Sequence, residues 1–208
     1  MRRGRVTGAG GAPPHDGRFP VVTPRRRVLV LSYFFPPAGG VASVRVSSWT
    51  RLLPEFGWEA TVVAALSPDA PVRDAALGIG EGTEAIRAGE IPLRRLLQRL
   101  KWLGVPARAL DGAVDRIWPD PFVGWAPFAH AAASRRLREG GIDAILSVSN
   151  PFTPHWIGLR LAGRARLPWV AFFSDDMSRN PDPRIRPRAR SLRSLERAVL
   201  ERADGVAA

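Results

Sequence analysis

The chain contains no cysteine, so a disulfide framework and thiolate metal sites are both excluded, as befits a protein of a reducing compartment. Histidine is scarce too. His15, His130 and His155 lie far apart and show no metal-ligand spacing. Lysine is almost absent, Lys101 standing alone beside many arginines, a bias that a GC-rich genome would also produce. No uninterrupted apolar stretch reaches the ~18 residues that a membrane span requires. The N-terminal "MRRGRVTGAGGAPPHDGRFPVVTPRRR" starts with arginines but lacks the apolar centre of a secretory signal. Residues 1–24 therefore read as a disordered basic leader, and one folded domain is expected over 25–208.

What is present fits a globular domain. Hydrophobic residues make up 45% of the 208 positions, with seven Trp and nine Phe, enough burial to offset the entropy of ordering. The formal charge of +12 suggests a polyanionic partner. Seven arginines against one acid lie in the first 27 residues, however, so half of the excess belongs to the leader. No nucleic-acid partner is expected. An acidic membrane surface or a phosphate-bearing ligand suits the remainder better.

Along the chain, apolar strands alternate with helical patterns. "RRRVLVLSYF" is a nearly continuous apolar run, as in a strand covered on both faces of a parallel sheet. From Val41 the period changes: Val44, Trp49, Leu52, Leu53 and Phe56 recur at helical spacing, and Gly57 marks a stop. "WEATVVAAL" reads as a second strand, completing a βαβ unit. Residues 67–91 look like a surface excursion. Their "GIGEGTEA" approaches a dinucleotide fingerprint, but Thr83 stands where the third glycine should be and no strand precedes it, so it reads as a loop. Leu93, Leu96, Leu97, Leu100 and Leu103 form a helical apolar stripe among Arg94, Arg95, Arg99 and Lys101. Such a helix either lies at the surface with a solvated face or rests on anionic lipid. Another helix is expected from Gly124 to Glu139. "IDAILSVSN" is a strand, and Asn150 with Pro151 reads as the N-cap and first residue of the next helix. "LPWVAFF" is a further strand; Leu192, Leu195 and Val199 mark a helix to about Ala203, and "DGVAA" begins another strand. The fold class is α/β, a doubly wound, mostly parallel Rossmann-like sheet with helices on both faces.

In such sheets ligands sit beyond the carboxyl ends of the strands, so three loops, "FFPPAGGVASVR", "SVSNPFTPH" and "FFSDDMSRNP", should share one edge. Gly39 and Gly40 can take positive φ and offer backbone N–H groups beside a helix N-terminus that favours anions, or they form only a tight turn. Pro36 and Pro37 hold the incoming chain extended. Arg45 either pairs with a phosphate or is solvated. Asp175 and Asp176 accept hydrogen bonds from sugar hydroxyls, act as base, or cap a helix. His155 is either a polar contact in the cleft or a hydrogen-bonded, half-buried histidine. Trp118 and Trp125 read as core.

Taken in order, "YFFPPAGGVASVR", "LPEFGWEATVV", "WPDPFVGW", "ILSVSNPFTPHWIGLRLA" and "LPWVAFFSDD" resemble the N-terminal, acceptor-side domain of family 4 glycosyltransferases of the two-Rossmann-domain (GT-B) type, over roughly residues 26–208. The resemblance implies sugar transfer from a nucleotide-activated donor to an acceptor, with retention at the anomeric carbon and without an obligatory metal. The nucleotide-sugar is then a substrate, and no resident cofactor is expected. By the same resemblance Gly39, Gly40 and Arg45 border the donor phosphates, and His155 and Asp175 are the catalytic candidates; Asn150 and Asp176, in the loops at the same edge, are read as substrate contacts. A cytoplasmic location is expected, with peripheral contact at the inner face of the membrane as the alternative that the basic amphipathic helix offers. Phe172 stands where the family pattern has its first aspartate, Ser174 replaces an arginine, and Asp176 with Met177 replaces Pro-Trp. The donor-binding half of the family is expected beyond Ala208, so this chain alone is expected to be inactive. The alternative is a non-catalytic module that binds a saccharide or a partner domain.

Overall fold

The structure, a computed structural model, describes residues 26–66 and 72–208. The expected leader and part of the 67–91 excursion lie outside the described residues. Six strands form one sheet in the order β3-β2-β1-β4-β5-β6: β1 Arg26–Leu31, β2 Trp58–Ala65, β3 Glu84–Ala88, β4 Ala144–Val148, β5 Trp169–Phe172 and β6 Gly205–Ala207. All five pairings are parallel. Val28 of β1 lies opposite Ala60 on one side and Ala144 on the other, so β1 is central and the connections diverge between it and β4. That divergence opens a crevice at the strand ends.

The alternating side chains of β1 feed two cores, as its unbroken apolar run requires. Leu29 and Leu31 pack with Trp125, α4 (Ala126–Arg138), α5 (Thr153–Ala165) and α6 (Ala189–Arg202). Val28 and Val30 pack with Phe35 and with Val46 of α1 (Val41–Leu52) on the opposite face. The doubly wound architecture is therefore as the sequence implies.

Three expectations need correction. Residues 67–91 include a strand, β3, at the sheet edge; its five residues follow a half-buried pattern without the apolar run that betrays a central strand. The apolar stripe expected over 44–56 is only partly directed inward: Trp49 and Leu53 pack against the core that holds Val46. Val44, Leu52 and Phe56 are exposed, whereas Ser43, Val46, Ser47 and Thr50 form the buried face. Small side chains there admit backbone from the "GIGEG" segment: the Ser47 hydroxyl donates to the Gly78 carbonyl, and the Gly80 N–H donates to Thr50 Oγ1 at 3.0 Å. A Cβ on Gly80 would sit 1.9 Å from the Thr50 carbonyl oxygen, so this glycine serves close approach. The helix expected across 93–103 divides into α2 (Leu93–Arg99) and a 3₁₀ turn over Leu100–Leu103, followed by α3 (Ala107–Val114).

Candidate functional site

At the carboxyl end of β1, Tyr33 and Phe35 are both fully buried, one in each core, so they peg the loop on both faces of the sheet. Tyr33 donates to Glu90 Oε2 at 2.5 Å and packs against Phe34, Phe122 and Trp125. Arg87 of β3 reaches the Phe35 and Pro36 carbonyls and lies over the Phe35 ring. The loop is thus held rigid from its incoming side.

Gly39 and Gly40 then diverge. The Gly39 N–H donates to the Val72 carbonyl at 2.8 Å, and a Cβ there would meet Val72 at 2.9 Å, so this glycine is committed to bracing the loop. Gly40 immediately precedes α1 at φ 91°, ψ 166°, a region essentially reserved for glycine. It is exposed, and nothing lies within 4 Å of the Cβ it lacks. No side chain caps α1. Of the two predicted glycines, only Gly40 offers open backbone at a helix N-terminus.

The three loops meet. Arg45 Nη1 donates to Ser174 Oγ at 2.5 Å, and its guanidinium lies 5.1 Å from the centre of the Phe172 ring. The Ser174 hydroxyl donates to the Ser149 carbonyl and its N–H to Ser149 Oγ at 3.0 Å, joining the loops after β4 and β5. Asn150 Nδ2 donates to Asp175 Oδ2 at 2.6 Å at the exposed rim. The departures at 172 and 174 therefore form one arrangement, in which a phenyl ring lies under Arg45 and a hydroxyl accepts from it. An arginine at 174 would set two like charges together. Asp176 is exposed and lines, with Asp175 and Glu196, a cavity of about 280 Å³ between this loop, α6 and β6. From α6, Glu196 accepts from the Met177 N–H and the Ser178 hydroxyl, anchoring the loop from below.

His155 requires correction. Its ring is fully buried, stacked on Phe173 with centroids 4.5 Å apart, and does not line the cleft. Trp169 Nε1 donates to Ser147 Oγ at 2.9 Å, which leaves the serine proton for His155 Nδ1 at 2.8 Å. The proton of the neutral ring then sits on Nε2, which faces the Phe172 carbonyl region without a completed hydrogen bond. Burial, offset only slightly by that carbonyl, lowers the pKa to about 3. A neutral, enclosed imidazole holds β4, α5 and β5 together and is no proton donor to a ligand.

Asn150 does not cap α5 either, because its amide is turned across to Asp175. The helix starts at Thr153, and the cap comes from Asp120, 33 residues earlier: Thr153 N–H donates to Oδ2 at 2.7 Å and Thr153 Oγ1 to Oδ1 at 2.9 Å. Phe122 N–H also donates to Oδ1 at 2.9 Å. Burial raises the Asp120 pKa against these donors and the nearby Arg188. Sequence reasoning missed Asp120, Arg87 and the Ser149–Ser174 pair. Only the turn within "WPDPF" carried a local signal, since Asp commonly accepts from the N–H two residues on. Trp125 is core as expected, whereas Trp118 is 37% exposed and packs edge-on against Trp156.

Residues 39–208 match the family model described as "Glycosyl transferase 4-like domain". Among solved structures, a sucrose-phosphate synthase from Thermosynechococcus elongatus is similar with a TM-score of 0.55 and 16% identity, over 88% of this chain and 42% of that one. A glycosyltransferase, SsfS6, of Streptomyces sp. SF2575 aligns over 71% of this chain and 39% of that one, with 16% identity and a TM-score of 0.41. At such identity the synthase speaks to fold alone, and the chain spans less than half of its length. No curated protein matches the chain.

Proposed function

Because the chain belongs to the glycosyl transferase 4-like domain family, we propose that it is the acceptor-side half of an enzyme that moves a sugar from a nucleotide-sugar to an acceptor hydroxyl. The observation that carries this reading is the convergence of Arg45 from α1 with Ser149, Asn150, Ser174 and Asp175 from the loops after β4 and β5 at one end of the sheet. Asp175, held by Asn150, receives the hydrogen bond of the acceptor hydroxyl as its oxygen bonds to the anomeric carbon and the nucleoside diphosphate departs. Open backbone at Gly40, with the N-terminus of α1, faces the diphosphate. Arg45 adds positive charge at that side of the groove, and Asp176 contacts substrate. Transfer is read as retaining and independent of metal, with the nucleotide-sugar as substrate and no resident cofactor. A cytoplasmic location goes with this reading.

A donor-binding half is required to complete the groove. Supplying one in trans and following nucleoside diphosphate release tests the reading: transfer should appear, and Asp175→Asn should lower it about a hundredfold with the fold intact. A second reading, a non-catalytic saccharide- or partner-binding module, draws on Arg45 being already engaged by Ser174 and Phe172. Under it, complementation yields no transfer while saccharide binding persists.

A further inference from the structure

Residues 91–110, the surface formed by α2, the turn after it and the start of α3, carry a feature that the groove does not use. Trp102 is 91% exposed and Leu103 78%, and Ile91, Leu96 and Leu100 are exposed beside them. Neither α2 nor the following turn contains a buried residue. Inward, Leu93, Leu97 and Val105 are half-buried, and Leu110 and Val114 of α3 are buried, so the segment is anchored by one side only. Five basic residues, Arg94, Arg95, Arg99, Lys101 and Arg108, fall between Glu90 and Asp111 with no acid among them. Water gains nothing from an exposed indole and a row of leucines, and an outer face of this kind is rare on a freely dissolved helix.

We propose that this face docks on an anionic lipid bilayer, with Trp102 and Leu103 at the headgroup boundary and Arg99, Lys101 and Arg108 against lipid phosphates. Charge complementarity selects this occupant. A second copy would bring Arg99, Lys101 and Arg108 against their own counterparts, whereas an anionic leaflet attracts each of them. The apolar residues add burial that charge alone does not supply, and tryptophan partitions well to the interface. The contact is peripheral, since no helix among the described residues is long and apolar enough to cross a membrane. Tyr33 of the first loop, Glu90, Ile91, Arg94, Arg95 and Phe122 line one small cavity, so this segment abuts the base of the first loop.

Vesicle binding involves no sugar transfer, so its outcome is independent of the reading given for the groove. The full chain would be sedimented with sucrose-loaded phosphatidylcholine vesicles, with and without phosphatidylglycerol. Binding should be at least about tenfold stronger to the anionic vesicles and should fall about fivefold for each of Arg99→Gln and Lys101→Gln. The pair Trp102→Ser and Leu103→Ser should lower it at least about tenfold with an unchanged circular dichroism spectrum. Brominated lipid should quench tryptophan emission in the native chain and much less in Trp102→Phe. The arginine-rich N-terminus attracts anionic vesicles by charge alone. Equal binding of the native chain and the Trp102/Leu103 variant, without quenching, would therefore assign binding to that segment and overturn the proposal. Equal binding to neutral vesicles would overturn it as well. So would a native dimer that the Trp102/Leu103 variant dissociates, which would give this face to a second copy.

Discussion

His155 offers the sharpest quantitative test of how the loops are held. Unfolded, its imidazole titrates near 6.5; folded, it is enclosed, bonded through Nδ1 to Ser147, and titrates at about 3. Between these values the unfolded chain binds a proton that the folded chain refuses, so the stability this residue contributes is complete above pH 6.5 and declines as the pH falls toward 3. The decline amounts to about 2 kcal/mol between pH 7 and pH 5, and roughly 3 kcal/mol by pH 4. Full burial means that solvent screening does not reduce the effect. Urea unfolding at pH 7, 5 and 4 would be compared for the native chain and His155→Gln, which keeps an acceptor for Ser147 but cannot charge. Carboxylates titrate alike in both proteins, so the difference between the two curves isolates the histidine. Parallel curves, or an NMR titration of His155 centred near 6.5, would refute the argument.

The same packing sets three further outcomes. Asp120→Ala leaves the Phe122 N–H, the Thr153 N–H and the Thr153 hydroxyl without their acceptor and should cost about 2–4 kcal/mol in urea unfolding. In Gly158→Ala the new methyl would lie 2.7 Å from Trp169 Nε1; displacing the indole should cost about 1–3 kcal/mol and change the near-ultraviolet circular dichroism, as the ring leaves Ser147. Gly40→Val meets no neighbour but forces a branched residue to φ 91°, at about 1–3 kcal/mol of strain. The fold should persist while transfer by the completed enzyme is lost, and unchanged turnover would remove the glycine from the mechanism.

Legibility in the sequence differs by residue. Gly40 and Asp175 stand out from local chemistry, a glycine before a helix and an acid after a strand, and the folded chain sets both at the same rim. His155 falls on its helix as the pattern implies, but helical phase does not say which neighbours enclose a side chain. Its partners Ser147 and Trp169 arrive from two other strands. The face of α1 is only half legible: Trp49 packs inward as its period implies, but periodicity counts apolar side chains, whereas the contact with Gly80 selects small ones. Arg87 escapes notice together with its strand, since an edge strand needs no apolar run.

By itself the sequence determined the class of fold. Unbroken apolar strands alternating with helical patterns can bury themselves only as a parallel sheet between helices, and each strand-to-helix loop must then emerge on the same edge. Tertiary structure alone decided which residues on that edge touch. The Asn150–Asp175 and Arg45–Ser174 contacts join positions 25 and 129 residues apart, and Asp120 caps a helix it does not belong to. Such pairings depend on strand order and register, which arise from the packing of all six strands at once and leave no mark in any single segment.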